Sequence, residues 1–184
     1  MKQLILASLL LALMPSARAL TVAGASLPEQ ATVAGETLVL NGAGVRSKFF
    51  VKVCAAALCQ PQKTRDTETA ISAAPKRMLM HVVHANVERD KIVEAWNEGF
   101  AANRTSDELT APGPRIDRFN SMFGDMQEGE QILLDYAPGK GTMVSVAGKR
   151  RGTIEGDDFQ RALIRFRPGV NAGSTDLETA LLGG

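Results

Sequence analysis

The spacing of apolar residues divides most of the chain into strands and helices. Between residues 46 and 58, apolar and mixed positions alternate with the period of two that marks a half-buried strand. One face carries Phe49, Val51, Val53, Ala55 and Ala57, and the other carries Arg46, Lys48, Phe50, Lys52, Cys54 and Leu58. The pattern predicts one long strand, with a bulge near Ser47 as an alternative that would change the register of the residues after it.

Shorter runs of β-forming residues predict further strands. Thr37–Leu40 precedes Asn41-Gly42, a dipeptide typical of hairpin turns, and Arg77–Val83 alternates clearly. Gln131–Tyr136 and Thr142–Ala147 are joined by a Pro-Gly-Lys-Gly turn. These segments have the length and composition of antiparallel strands.

Four segments carry apolar residues at helical spacing instead. The clearest is Glu88–Asn103, with Asn86 as a candidate N-cap and an apolar stripe of Ile92, Val93, Trp96 and Phe100. A second helix is predicted from Ile116 to Met126, a third after Asp157 or Asp158, and a last one at the Thr175-x-x-Glu178 capping box. Strands, two helices, a strand hairpin and two more helices predict an α+β fold, with a large antiparallel sheet packed against a layer of helices.

The N-terminus has the organisation of a secretory signal peptide. Lys2 is followed by the apolar run Leu4–Met14 and by Ala17-Arg18-Ala19, which has small residues where a signal peptidase reads them. The run is shorter than the ~20 residues that cross a bilayer. We expect a signal peptide over residues 1–19, a single domain over residues 20–184, and a periplasmic or secreted protein without stable membrane insertion.

Charge and cysteine content exclude several classes of function. Without Lys2 and Arg18, the 21 basic residues fall to 19 against 20 acidic ones, so no basic excess favours nucleic-acid binding. Cys54 and Cys59 would lie ~16 Å apart along a strand, too far for a disulfide. His81 and His84 point to opposite faces of a strand. The sequence therefore predicts no metal site and no cofactor.

Three stretches together resemble the chalcone isomerase-like family. They are residues 40–46 running into 49–53, residues 134–142, and residues 152–163 closing on Leu181-Leu182-Gly183. With the predicted two-helix insertion between them, the likeness spans nearly all of the mature chain, and it is strongest to the bacterial branch that carries signal peptides. The resemblance implies an antiparallel sheet packed on helices with a ligand cleft between them. It also implies one of two activities: cyclisation of a chalcone, or binding of fatty acids without catalysis.

The resemblance places Arg46 on the family arginine that follows a Gly-x-Gly sequence. A guanidinium at a cleft can hold a carboxylate or a phenolate through two hydrogen bonds. The isomerase's catalytic threonine corresponds to Cys54, and its tyrosine and asparagine have no counterpart in residues 87–95. These departures argue against chalcone cyclisation.

The leading hypothesis is a non-catalytic protein that binds a small apolar or fatty-acid-like anion, with Arg46, Phe50 and Cys54 as ligand-binding residues. Two alternatives stay open. One is an intramolecular lyase or isomerase related to chalcone isomerase. The other is a structural or interaction protein whose cleft is filled. The oligomeric state is not predicted.

Overall fold

The α+β prediction is confirmed by a computed structural model, which describes residues 18–48, 50–102, 113–164 and 174–184. Most of the predicted signal peptide lies outside these residues, as do the last residue of the Glu88–Asn103 helix prediction and Phe49. Seven strands form one antiparallel sheet, in the order β11 (Lys149–Ile154), β10 (Gly141–Val146), β9 (Gln131–Ala137), β6 (Lys76–Val82), β5 (Val51–Gln60), β4 (Glu36–Lys48) and β3 (Gln30–Val33). No helix in the described part of the chain is both long and apolar enough to span a bilayer.

The strands are interrupted by helices along the chain. The strands are β1 Ala19–Val22, β2 Ala25–Pro28, β3 Gln30–Val33, β4 Glu36–Lys48, β5 Val51–Gln60, β6 Lys76–Val82, β7 Asn86–Val87, β8 Met126–Gln127, β9 Gln131–Ala137, β10 Gly141–Val146 and β11 Lys149–Ile154. The helices are α1 Thr67–Ile71, α2 Arg89–Ala102, α3 Gly113–Asn120, α4 Asp157–Ile164 and α5 Ser174–Leu181.

The prediction of one strand over residues 46–58 is wrong, as is the predicted turn at Asn41-Gly42. The chain turns between Lys48 and Val51, so β4 and β5 form a long hairpin. Asn41 and Gly42 lie inside β4, where the pairing register shifts between Leu40 and Gly42. The local sequence misleads because Asn-Gly also suits a bulge, and the side chain of Asn41 is committed to tertiary hydrogen bonds.

The sheet buries a different cluster on each face, as the period of two requires. On one face, β2 and β3 fold over Ala55, Ala57, Cys59 and Leu79. On the other, α2, α3, α4 and the segment after α3 pack aromatic rings against β6, β9 and β10. The five rings of this face are Trp96, Phe100, Phe119, Phe123 and Phe159. The sheet is therefore the shared wall of two cores.

Helix α2 confirms the strongest helical prediction, although its start differs. It begins at Arg89, whose backbone N–H donates to Asp125 Oδ1 at 2.8 Å, so a distant carboxylate satisfies a free N–H of the first turn. Asn86 is not the cap, because it lies in β7 and pairs with Gln127 of β8. The predicted helix from Ile116 to Met126 ends at Asn120, since Met126 belongs to that small hairpin.

Helix α5 lies directly on the backbone of β4. A Cβ atom on Gly42 would overlap the carbonyl oxygen of Ala180, and one on Gly44 would lie 2.8 Å from the Ala180 Cβ. Asn41 Nδ2 donates to the Leu181 carbonyl oxygen at 2.7 Å, which satisfies one of the last carbonyls of the helix. The glycines of the Asn-Gly-Ala-Gly sequence thus form a docking surface for a helix.

Helix α1 is held by a buried lysine. Lys76 is 1% exposed, and its Nζ donates to the carbonyl oxygens of Ala70 and Ser72 at 2.8 Å each. Burial lowers the pKa of Lys76 from 10.5 to about 8. The ammonium group secures the C-terminal end of this short helix, because it occupies carbonyls that the helix leaves unpaired.

We expect Gly42→Ala to destabilise the protein by about 2–3 kcal/mol, because the added methyl meets backbone atoms that cannot rotate away. Gly124→Ala is the matched control: a Cβ there meets nothing within 4 Å, and its φ is not positive. The control should stay within about 1 kcal/mol of wild type. Urea unfolding measures both. Equal stability of the two variants would contradict the close approach of α5.

We expect the stability of the wild type to rise relative to that of Lys76→Met between pH 8 and 10.5. In that window the unfolded chain holds the Lys76 proton and the folded chain does not, so the free energy of unfolding increases with pH. The difference should grow by up to about 3 kcal/mol across the window. Urea unfolding at several pH values measures it, and a difference independent of pH would mean that Lys76 is not desolvated.

Candidate functional site

A pocket of about 410 Å³ lies between the sheet and the helices. Its floor is the helix-facing side of β5 and β6, where Cys54, Ala56 and Leu58 alternate with residues of the opposite core. Its roof comes from α2 and α5, and its far end from α1. The apolar lining includes Met78, Met80, Val82, Ile92, Trp96, Ile132, Leu177 and Leu181. This volume falls within the ~300–1,000 Å³ typical of small-molecule sites.

Most of the polar lining residues cluster at one end of the pocket. At the end formed by Leu58, Ala70 and Ile71, these lining residues are at most 2% exposed. Two polar lining residues, Thr67 and Glu178, lie outside the cluster. The opposite end lies where the β4–β5 hairpin turns, and the residues there are largely exposed. We call it the polar end: it comprises Arg46, Lys48, His84, Asn86, Glu88 and Lys91. The pocket therefore opens at its polar end and is closed and mainly apolar at the other.

Backbone pairing brings the polar end together from separate segments. Arg46 lies directly across from Cys54 in the hairpin, and Cys54 lies across from Val82. The N–H groups of Val83 and His84 both donate to the Val53 carbonyl oxygen, at 3.0 and 3.3 Å. From His84 the chain runs through β7 into the first turn of α2. Segments far apart in sequence thus meet at one opening.

Two of the three sequence-predicted site residues line the pocket, and one does not. Arg46 and Cys54 are neighbours on its wall, although they belong to two strands rather than one. Phe50 lies in the hairpin turn, fully exposed, and is not part of the lining. The strand prediction placed it inward because two-residue alternation was carried through a turn.

The Cys54 thiol is a poor nucleophile. Burial raises its pKa to about 11, although the positive charge of Arg46 acts in the opposite direction. At neutral pH the group is a protonated thiol, which is a poor nucleophile even with His84 at the same pocket. Cys59 points into the opposite core, and both cysteines are free.

The chain's only tyrosine does not line the pocket. The Tyr136 hydroxyl donates to Asp157 Oδ1 at 2.7 Å, and desolvation raises the pKa of Tyr136 to about 12. Thr153 lies on the edge strand β11, also outside the lining. The hydroxyls of Tyr136 and Thr153 therefore do not line the pocket.

Two exposed ion pairs share Glu94 at the polar end: one joins the β4–β5 hairpin to α2, and the other lies within α2. Glu94 of α2 accepts from Lys48 Nζ and from Lys91 Nζ, both at 3.3 Å. Both lysines are largely exposed, so these pairs are weak and exchange readily with solvent or another anion. The two lysines hold the pKa of Glu94 below its usual value. Hairpin and helix are thereby connected across the opening without a strong bond.

Sequence reasoning missed most of the polar end. No spacing along the chain joins Lys91 to Arg46, because their proximity depends on β5–β6 pairing and on where α2 begins. Met78 and Met80 could have been found, since methionines suit adaptable pockets and both residues line this one. Among the described residues, no group of His, Cys, Asp or Glu could hold a metal ion.

Comparison with known families agrees with this architecture. The model of a family described as chalcone isomerase-like matches residues 19–183, nearly the whole chain. The chain belongs to the chalcone isomerase-like family. The family resemblance inferred from three short stretches is therefore confirmed.

A solved structure shares the fold of this family member. It is the crystal structure of a fatty-acid binding protein of Arabidopsis thaliana, with a TM-score of 0.64 and 14% sequence identity. The match covers 87% of this chain and 92% of the plant chain. At this identity the likeness shows the fold alone. No curated protein matches the sequence significantly.

Proposed function

We propose that the protein binds a fatty-acid-like carboxylate without transforming it. The observation that carries the proposal is the pocket itself: closed and mainly apolar at one end, open and rich in cations at the other. Along β5 it extends from Val51 to Leu58, or about 23 Å of extended strand. An extended acyl chain with a carboxylate at one end has the same shape and the same distribution of polarity.

The charges of the polar end favour an anion. Arg46, Lys48 and Lys91 line it with a single carboxylate, Glu88. Glu94 lies outside the lining and interacts with the two lysines. We assign the ligand carboxylate to Arg46, because a guanidinium offers paired donors in a fixed plane. The fold-sharing plant protein is a fatty-acid binding protein, which supports the same class of ligand.

Two features favour binding over catalysis. Chalcone cyclisation needs groups that stabilise developing charge and transfer a proton, and Tyr136, Thr153 and the Cys54 thiol do not supply them here. An open apolar volume also differs from the filled cleft of a purely structural protein. The apolar lining and the cations of the pocket therefore favour ligand binding over catalysis.

We also propose export from the cytoplasm with cleavage after Ala19. The family match begins at residue 19, so the segment with signal-peptide organisation precedes the family domain. Cell fractionation followed by N-terminal sequencing should find a periplasmic or secreted protein that begins at Leu20. A protein that begins at Met1 in the cytoplasmic fraction would refute export.

We expect the wild type to bind a long-chain fatty acid more tightly than its methyl ester, and Arg46→Ala to lose that preference. A charge-assisted hydrogen bond contributes about 1.5–3 kcal/mol, or roughly 10- to 150-fold in affinity. Arg150→Ala, on the edge strand β11, is the matched control and should keep the preference. Isothermal titration calorimetry measures all affinities.

A second variant distinguishes the contribution of the pocket to binding from that of Arg46. Ala56→Phe places a ring on the pocket floor and should weaken acid and ester alike, whereas Arg46→Ala should weaken only the acid. Equal affinity of the wild type for acid and ester would exclude Arg46 as the carboxylate site. Unchanged binding by Ala56→Phe would exclude this pocket altogether.

A further inference from the structure

The turn between β4 and β5 exposes apolar surface beside the pocket opening. We define the hairpin tip as Lys48, Phe50, Val51 and Lys52, the described residues at and next to this turn. Phe50 is fully exposed and Val51 is 50% exposed, and they are two of the three large hydrophobic residues exposed in the described chain. In a monomer in solution, the apolar surface of both residues is therefore left exposed to water.

Basic residues flank this apolar surface. Lys48 and Lys52 bracket it in sequence, both are exposed, and Arg46 lies on the same hairpin. Residues 46–54 contain three cations and no acid. An aromatic ring between lysines combines apolar burial with attraction to negative charge, which is the combination that holds proteins at the interface of an anionic bilayer.

The hairpin tip is also continuous with the pocket. Lys48 and Val51 belong to the pocket lining, while Phe50 and Lys52 do not. A surface that covers Phe50 therefore comes to lie against the pocket opening. For a ligand with an acyl chain, that arrangement provides a path between pocket and bilayer that avoids water.

We propose that the hairpin tip docks the protein on anionic phospholipid membranes, with Phe50 entering the interface and the two lysines facing lipid phosphates. The docking is peripheral and reversible, since one aromatic side chain and a few cations do not anchor a protein permanently. The membrane-docking proposal does not depend on fatty-acid binding. Only its consequence, direct ligand exchange with the bilayer, rests on the proposed function.

Vesicle flotation tests the docking directly. The protein is purified from the compartment where it accumulates, so that its N-terminus is the native one, and is mixed with vesicles of phosphatidylglycerol and phosphatidylcholine. We expect the wild type to float with these vesicles and to bind less in high salt. Phe50→Ser should lower the partition coefficient by about tenfold or more, and Lys52→Glu by about five- to tenfold.

Two matched controls test whether the loss of vesicle binding is specific to the hairpin tip. Leu20→Ser removes the other exposed large hydrophobic residue, on β1, and Lys140→Glu reverses an exposed lysine in the β9–β10 turn. Both should bind vesicles within about twofold of wild type, because neither residue belongs to the hairpin tip. Phe50→Ser should also keep its fatty-acid affinity in solution, since Phe50 does not line the pocket.

Three outcomes would overturn the proposal. The first is a wild type that does not float, and the second is equal binding to vesicles of phosphatidylcholine alone. The third is self-association that Phe50→Ser abolishes in sedimentation while vesicle binding is unchanged, which would make the hairpin tip a contact between protein chains. Because flotation needs no fatty acid, these results stand apart from the calorimetry.

Ligand transfer tests the consequence. A fluorescent fatty acid should leave the wild type at a rate that increases with vesicle concentration, because transfer occurs during collision with the bilayer. With Phe50→Ser the rate should become independent of vesicle concentration, as release into water then limits it. A wild-type rate that does not depend on vesicle concentration would exclude exchange at the docked hairpin tip.

Discussion

The close contact between α5 and β4 is the constraint on which the pocket depends. It needs two glycines, Gly42 and Gly44, because any side chain would push the helix away from the strand. Asn41 secures the same contact: its amide group donates to the Leu181 carbonyl and accepts from Gln60 Nε2 at 2.9 Å and from the Thr64 N–H at 2.7 Å. One bulged residue thus ties the last helix, the end of β5 and the loop before α1 together.

That contact explains why space remains under the helices. Where α2, α3 and α4 meet the sheet, buried aromatic rings occupy the gap. Between α2 and α5 the pocket wall includes the small residues Cys54 and Ala56 instead, while α5 is held by its contacts with Gly42 and Gly44. Because the helices are fixed at other points, the sheet and helices cannot collapse onto these small residues, and the volume persists.

The sequence predicts the elements around the aromatic core better than the region around the α5–β4 contact. Periodicity recovered α2, β6, β9 and β10 because each buries a regular stripe. It failed at residues 41–50, where an Asn-Gly bulge resembles a turn and the true turn lies among apolar residues. Arg46 and Cys54 were identified through family resemblance rather than periodicity. Lys91 could not be identified at all, since strand pairing and the start of α2, where Asp125 accepts from the Arg89 N–H, determine where it lies.

The turn that misled the sequence interpretation also connects the two proposals. An inward Phe50 would have been one more lining residue, whereas an outward Phe50 leaves Lys48 as a residue common to pocket and hairpin tip. Lys48 interacts with Glu94 only through an exposed pair, so a lipid phosphate can replace that partner at little cost. A membrane phosphate at Lys48 then adds negative charge to the polar end, where Arg46 holds the ligand carboxylate, and like charges repel. If both proposals hold, docking lowers the affinity for the ligand while the protein is in contact with the bilayer that accepts it.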